Sequence, residues 1–203
     1  YHWDDRKKLL NDFIYLETSY LIKQLSESLN IKKIECRQEG VRLPYSDRSQ
    51  YLFNSTINGI EESDCILIIG SNVREEAPII NTRIRKHLLN KNIPIGLIGE
   101  KFDLTFDYEH LGNDLNILKS ISDGENNFCK ILGKAKKPMI IIGQSVLNRD
   151  DSLNAYSLIE DIVHQYSFLD SSWNGVNTLQ LSASRIGALD MGCYQSSRSL
   201  KDI

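Results

Sequence analysis

Closely spaced cysteines are missing from this 203-residue chain. Cys36, Cys65, Cys129 and Cys193 lie far apart in the sequence, and no two form the short-range pair on which zinc and iron–sulfur sites normally draw. Two of them sit in or beside apolar strand-like runs and read as buried or incidental thiols. The chain by itself is therefore expected to hold no metal and no cluster. No apolar stretch approaches membrane-spanning length, so no direct membrane span is expected. The formal net charge of −3 supplies no reason to expect nucleic acid. No Gly-x-Ser-x-Gly elbow or oxyanion loop provides a partnered nucleophile. Internal repeats and low-complexity linkers are absent too. The composition, with 41% hydrophobic and 25% charged residues, is that of an ordinary globular chain, large enough for one α/β domain with flanking helices.

The first dozen residues mix acids with bases and lack the short apolar core of a secretory signal, and the acids argue against a transit peptide. The expectation is a presequence already removed or never needed. The chain carries 25 isoleucines and 16 asparagines, a bias compatible with an A+T-rich gene such as one in an organelle.

Several periodic segments are present. Asp5 to Leu29 reads as a long amphipathic helix, with Leu10, Ile14, Leu21 and Leu25 on one side. Lys32 to Cys36 follows as a strand, residues 37 to 48 as a loop, and Ser49 to Glu62 as a helix. Cys65 to Ile69 is an unbroken aliphatic run, the pattern of a parallel strand covered on both faces. In the next helix, Ala77 to Leu89, Ala77, Ile80, Ile84 and Leu88 make a core stripe. Ile93 to Ile98 and Met139 to Ile142 read as further strands. Residues 100 to 113 read as a connection, and Leu115 to Ser122 and Phe128 to Lys134 as short helices separated by Asp123-Gly124. Leu153 to Tyr166 and Leu179 to Leu189 complete the helices. Strands alternating with helices imply an α/β fold, a doubly wound parallel sheet of about four strands. Residues 36–145 would form its core, with 1–35 as a flanking helix and strand and 146–203 as a helical segment packed on the core.

The stretch from Tyr51 to Lys86 also resembles a known family. Asn54, Thr56, Ile57, Gly59, Glu61 and Glu62, then Gly70, Asn72, Glu76, Ala77, Pro78, Asn81, Arg83, Ile84, Arg85 and Lys86, match in order a run in the large iron–sulfur subunit of respiratory complex I, the NADH:ubiquinone oxidoreductase. The run belongs to that subunit's molybdopterin-oxidoreductase-like region. Asp103-Leu104-Thr105 with Tyr108, His110, Leu111 and Gly112, then Ala135 to Gly143, continue the match. Trp173, Asn177 and the stretches Ala183-Ser184 and Ala188-Leu189-Asp190 follow more weakly. The resemblance covers roughly residues 45 to 192, with residues 1 to 44 unplaced. Val73 stands where the family usually has proline, which removes one constraint on φ from the loop.

Three groups of residues invite a chemical reading. Gly70-Ser71-Asn72 lies after a strand and before a helix, where α/β sheets place ligands and helix N–H groups hold phosphate. In molybdenum enzymes resembling this region such a loop contacts a pterin dinucleotide, whereas the complex I branch lacks that cofactor. Glu75 and Glu76 add negative charge, which favours a vestigial loop. Asp107, Tyr108, Glu109 and His110 could suggest acid–base work, but with no nucleophile nearby His110 reads as a hydrogen-bonded structural histidine and Trp173 as a packing anchor. The basic run Arg83 to His87 reads as a solvated or subunit-facing helix surface. No catalytic, cofactor-binding or metal residue is assigned.

The resemblance implies a non-catalytic structural module of the peripheral arm of complex I, on the matrix side of the mitochondrial inner membrane or the cytoplasmic face of a bacterial membrane. Iron–sulfur clusters and FMN would reside in partner subunits, especially a cysteine-rich iron–sulfur chain or region. A cofactor-binding fragment of a molybdenum oxidoreductase and a free nucleotide-binding α/β protein are the alternatives.

Overall fold

Two aliphatic strands organise the chain. Cys65–Ile69 and Pro138–Ile142 are buried along their whole length and pair in parallel, from Cys65 opposite Pro138 to Ile69 opposite Ile142. Because successive side chains of a strand point to opposite faces, Cys65, Leu67, Ile69, Ile140 and Ile142 enter one apolar core. Ile66, Ile68, Met139 and Ile141 enter the other. A sheet with two cores must be covered on both sides, and the helices do this.

The computed structural model describes residues 7–9, 15–31, 33–37, 41–42 and 47–194. In chain order the elements are β1 (Lys7–Leu9), α1 (Leu16–Ser28), β2 (Lys33–Glu35), α2 (Thr56–Gly59), β3 (Cys65–Ile69), α3 (Val73–Glu76), α4 (Pro78–Asn90), β4 (Ile95–Ile98), β5 (Glu109–Gly112), α5 (Leu115–Ser122), α6 (Cys129–Leu132), β6 (Pro138–Ile142), α7 (Gln144–Leu147), α8 (Ser152–Gln165), β7 (Val176–Thr178) and α9 (Arg185–Asp190). The main sheet runs β5-β4-β3-β6-β7 with every neighbour parallel. From β3 the chain moves outward through β4 and β5, then returns to the other side of β3 for β6 and β7. The direction of winding therefore reverses between β3 and β6. Helices α5 and α8 pack together over one core through Leu118, Ile121, Ile159 and Ile162. Helix α4 covers the other core through Ile84.

The α/β class and the doubly wound parallel sheet stand, but the strand count changes. The sheet has five strands rather than four, and the strand expected at Lys32 to Cys36 is not one of them. It pairs instead with β1 in a separate two-stranded parallel ribbon, Lys7 opposite Lys33 and Leu9 opposite Glu35. Strand β1 lies inside the span read as one helix from Asp5, and α1 starts only at Leu16. Leu10 and Ile14 of the expected stripe lie outside the described residues, while Leu21 and Leu25 face solvent and the helix turns Ser19 and Ser26 inward. Small side chains allow that close approach, and each hydroxyl donates to a carbonyl one turn back.

Strand β5 falls in the segment read as a connection, and β7 between the two helices expected in the segment 146–203. Both are three or four residues long and half polar, so pairing with distant neighbours, not local pattern, makes them strands. The expected helix Ser49 to Glu62 breaks into a 3₁₀ turn at Arg48–Tyr51, α2 and a second 3₁₀ turn at Ile60–Glu62. Thr56, the first residue of α2, has φ +63°. Of the expected Leu179 to Leu189 helix only the part from Arg185 onward is helical, within α9 (Arg185–Asp190).

The broken stretch covers the outer edge of β7, which would otherwise present unpaired backbone. Thr178 N–H donates to Leu52 O at 2.9 Å, and Asn54 Nδ2 donates to Val176 O at 2.6 Å. Asn177, fully buried, ties both sides together. Its Oδ1 accepts from Ser55 N–H and Ser55 Oγ at 2.9 Å each. Its Nδ2 donates to Ile140 O and Gly175 O at 3.3 and 3.0 Å. Removing the amide strands several buried groups at once, so Asn177→Ala should lower unfolding free energy by about 2–3 kcal/mol in urea titration. A loss below about 0.5 kcal/mol would show that the network is not a structural tie.

Candidate functional site

Three neighbouring parallel strands end on the same dipeptide: Ile69-Gly70, Ile98-Gly99 and Ile142-Gly143. The three glycines gather at the carboxyl edge of the sheet, where open α/β folds place ligands. Backbone bonds stitch them in series: Gly70 N–H donates to Ile98 O, Gly143 N–H to Ile69 O, and Gly99 N–H to Gly112 O, each at 2.8 Å.

Gly70 has φ +60°, a left-handed conformation that glycine adopts at little cost. A Cβ there would overlap Val146 Cγ2 and Ser145 Oγ, and a Cβ on Gly143 would overlap Gly70 O. The turns after β3 and β6 are thus packed directly on one another, and Ser145 Oγ donates to Gly70 O. Between those two turns the crevice at the switch point is filled by the chain itself.

The polar groups of the loop are engaged internally as well. Ser71 Oγ donates to Glu76 Oε2 at 2.8 Å, and Asn72 N–H donates to Glu76 Oε1 at 3.2 Å. A carboxylate from α3 occupies the place that a phosphate would take against these donors. Two buried atoms nearby lack partners, Asn72 Oδ1 and Gln144 Nε2. The first is an acceptor, of the wrong sign for a phosphate oxygen. The second belongs to a side chain only 2% exposed, whose Oε1 accepts from Leu181 N–H.

Beside the glycines a recess of about 190 Å³ opens between Gly70, Gly99, Glu100, Asp114, Ser145 and Arg149. That is below the usual range for small-molecule pockets. The Arg149 guanidinium is held by Asp151 at 2.6 and 2.7 Å. Asp114 caps α5 by accepting from Asn116 and Ile117 N–H. With two carboxylates and one engaged cation, the recess does not attract an anion.

The other candidates disperse. His110 Nε2 meets Gly99 O at 2.7 Å on the exposed edge strand. Tyr108 closes its own loop, with its hydroxyl donating to Phe102 O and accepting from Phe102 N–H. Trp173 is buried and donates from Nε1 to Pro138 O at 2.8 Å. In the basic run, Arg83 and Lys86 both reach Glu61, at 2.7 and 3.0 Å, while His87 turns inward to Ser63 O. All four cysteines are free and buried. Burial pushes the Cys36 and Cys65 thiols up to about 12, far from the thiolate that a metal or nucleophilic site needs. No group of three or more potential metal ligands occurs among the described residues.

The profile of the molybdopterin oxidoreductase family matches residues 8–203. The chain belongs to that family. It is 42% identical over 197 residues to the NADH-ubiquinone oxidoreductase 75 kDa subunit of Reclinomonas americana, a match covering 95% of this chain and 27% of that protein. It is 39% identical over 189 residues to the mitochondrial NADH-ubiquinone oxidoreductase 78 kDa subunit of Candida albicans, covering 92% and 26%. To the corresponding mitochondrial 78 kDa subunit of Neurospora crassa it is 37% identical over 192 residues, covering 92% and 26%. The chain spans about a quarter of the length of the curated relatives it matches. The match reaches back to residue 8, so most of the stretch that the motifs left unplaced belongs to the family region too.

Molybdopterin is the group that the family name implies, and the residues at the glycine edge do not fit it. The Ser71 and Asn72 donors face Glu76, the glycine gap holds Val146 and Ser145, and no unengaged cation among the described residues lines the recess. The sequence weighs Glu75 and Glu76 together; the structure singles out Glu76. Gly143 and Ser145 escape the sequence reading as site residues, although the repeated Ile-Gly ending points to them.

Two outcomes follow from this geometry. Glu76→Ala removes both acceptors of the loop and should lower stability by about 1–2 kcal/mol in denaturant titration, with Glu76→Gln intermediate. Equal stability of all three proteins would remove the carboxylate from its assigned role. Iodoacetamide at pH 8 should leave the four thiols of the native chain largely unmodified and alkylate all of them in urea. Rapid native labelling of Cys36 or Cys65 would contradict their burial.

Proposed function

We propose that the chain is a non-catalytic structural module of the peripheral arm of a respiratory NADH:ubiquinone oxidoreductase. The single observation carrying this reading is the self-filled glycine edge: the place where the family fold holds a cofactor is closed by Glu76, Val146 and Ser145. The names of the relatives supply the assembly. In this reading the chain has no redox group of its own, and iron–sulfur clusters and FMN belong to partner subunits, one of them a cysteine-rich iron–sulfur chain or region. The location is the matrix side of the mitochondrial inner membrane. No helix among the described residues is long and apolar enough to cross a membrane.

Such a role is mechanical. Electron transfer between centres depends on their fixed separation, and a sheet buried on both faces with helices locked over it is stiff on the scale of a side chain. The module would supply that stiffness through packing.

The test is native purification of the respiratory complex from cells carrying a tagged version of this chain. The chain should comigrate with NADH dehydrogenase activity and leave the complex only under denaturing conditions. Migration as a separate species without that activity would refute the assignment. The family name itself favours one rival, a molybdenum oxidoreductase fragment. Elemental and pterin analysis of the same preparation decides against it if both are absent and for it if both copurify in stoichiometric amount.

A further inference from the structure

Asparagine followed by glycine occurs twice in the chain, at Asn58-Gly59 and Asn174-Gly175. The dipeptide carries its own chemistry. Glycine has no Cβ to shield its peptide nitrogen, so that nitrogen can attack the side-chain carbonyl carbon of the preceding asparagine. The asparagine side chain must be free to swing onto the backbone, and the glycine N–H must be released from its hydrogen bond.

At Asn174-Gly175 neither condition is met. Asn174 Oδ1 accepts from Val176 N–H at 3.1 Å, which holds the side chain. Gly175 N–H donates to Phe168 O at 2.8 Å, and Gly175 O accepts from Ile140 N–H at 2.8 Å. Asn174 is also bridged to Leu169. A Cβ on Gly175 would overlap Pro138 O, so the glycine lies directly on β6. Freeing this dipeptide means detaching β7 from its neighbour.

Asn58-Gly59 is held differently. The Asn58 side chain is exposed and makes no hydrogen bond with a described residue. It stands in α2, a single helical turn to which Ser55 gives no side-chain cap. Thr56 enters that turn at φ +63°, a strained conformation for a β-branched residue. Thr56, Ile57 and Asn58 are all exposed, so opening the turn gives up little buried apolar surface. Beyond the turn's own backbone bonding, Gly59 N–H has only Thr56 Oγ1, at 3.4 Å, a long contact. An isolated turn of helix is marginal in water, and segments with few buried contacts open far more readily than the whole molecule unfolds.

We propose that Asn58 is a modification site of the native protein: its side-chain amide is lost to attack by the Gly59 nitrogen while α2 is open, whereas Asn174 stays intact. A bond forms between Gly59 N and Asn58 Cγ, and the Asn58 NH₂ leaves with the Gly59 proton as ammonia. The product is a five-membered succinimide. Water then opens the ring at either carbonyl, leaving aspartate or isoaspartate at position 58. Water is the sole co-reactant, and nothing is oxidised or reduced. Both products add a carboxylate shortly before Glu61 and Glu62, where like charges along a helical path repel. The isoaspartate product also puts an extra carbon into the main chain of α2. That atom falls between Ser55, which is tied to Asn177, and Gly59, which packs against Ser55 and Trp173. The site is a property of this chain alone and goes beyond the assembly role proposed above.

The test is incubation of the full chain in native buffer near neutral pH, with a parallel sample in urea. Peptide mass spectrometry reads loss of the amide, and an isoaspartate-specific methyltransferase reads the isoaspartyl product. In the native sample position 58 should convert at least about tenfold faster than position 174, because its dipeptide opens without breaking the sheet. In urea the two rates should converge. Native conversion at 174 as fast as at 58, or none at 58 while the urea sample converts, overturns the proposal. A ratio that persists in urea assigns the difference to sequence instead of fold and overturns it too.

Two variants at the exposed position complete the test. Asn58→Gln should fold with the stability of the parent chain and show no comparable conversion at 58; unchanged amide loss there would place the reaction elsewhere. Freshly prepared Asn58→Asp carries the charge without the extra backbone carbon. It should unfold at a higher urea concentration than the isoaspartate fraction separated from aged protein, and equal midpoints would overturn the effect assigned to α2.

Discussion

The parallel pairing of β3 with β6 is the constraint on which the other features depend. These strands contribute ten buried residues in continuous register, and each isoleucine or leucine fully withdrawn from water contributes about 1.5–3 kcal/mol. Since both faces are apolar, the pair cannot exist without helices on each side. That requirement places α4 over Ile66, Ile68 and Ile141, and α5 and α8 over Leu67, Ile69 and Ile140. The pairing also brings Gly70 and Gly143 to the same level at the carboxyl edge, since Ile69 lies directly opposite Ile142. The closed switch point is a consequence of register as much as of loop sequence.

That closure explains how a family defined by a cofactor can include a chain whose cofactor edge is filled. The elements that make the fold are the aliphatic strands and the stripes of α4, α5 and α8, and none of them needs a ligand. What a ligand needs is a gap between two turns and unengaged donors. Here the gap is taken by Val146 and Ser145 and the donors of Ser71 and Asn72 by Glu76. An internal carboxylate held by Ser71 and Asn72 satisfies the loop in every state of the protein, whereas a bound phosphate does so only when ligand is present. The loop is thereby satisfied from within the chain, which is the observation behind the proposed framework role.

The legible part of the sequence was the part whose physics is local. Cys65 to Ile69, Met139 to Ile142 and the stripe through Ile80 and Ile84 each carry their burial in their own pattern, and the structure places all three as that pattern requires. Strands β5 and β7 do not. Glu-His-Leu-Gly and Val-Asn-Thr are short, each carries two adjacent polar residues, and they become strands only because β4 and β6 offer an edge. The helix read from Asp5 failed for a related reason: the leucine spacing was real, but spacing says which residues share a face and not what that face meets. At the glycine edge, charge could be read but partnership could not. Glu75 and Glu76 are equivalent in sequence, and only the turn of α3 sends the second toward Ser71.

The apolar residues thus divide into two classes with different meanings. Those on β3, β6, α4, α5 and α8 are covered by the chain's own elements and account for its fold. Leu21, Leu25 and Leu29 of α1 are exposed, although Ile22 of the same helix packs on the main core. In the main sheet the two edges differ in the same way: the Leu52 to Ser55 stretch shields the far edge of β7, while β5, whose Glu109 and His110 are exposed, forms the opposite edge. A polar edge strand needs no apolar cover, so the sheet ends there without leaving a core exposed.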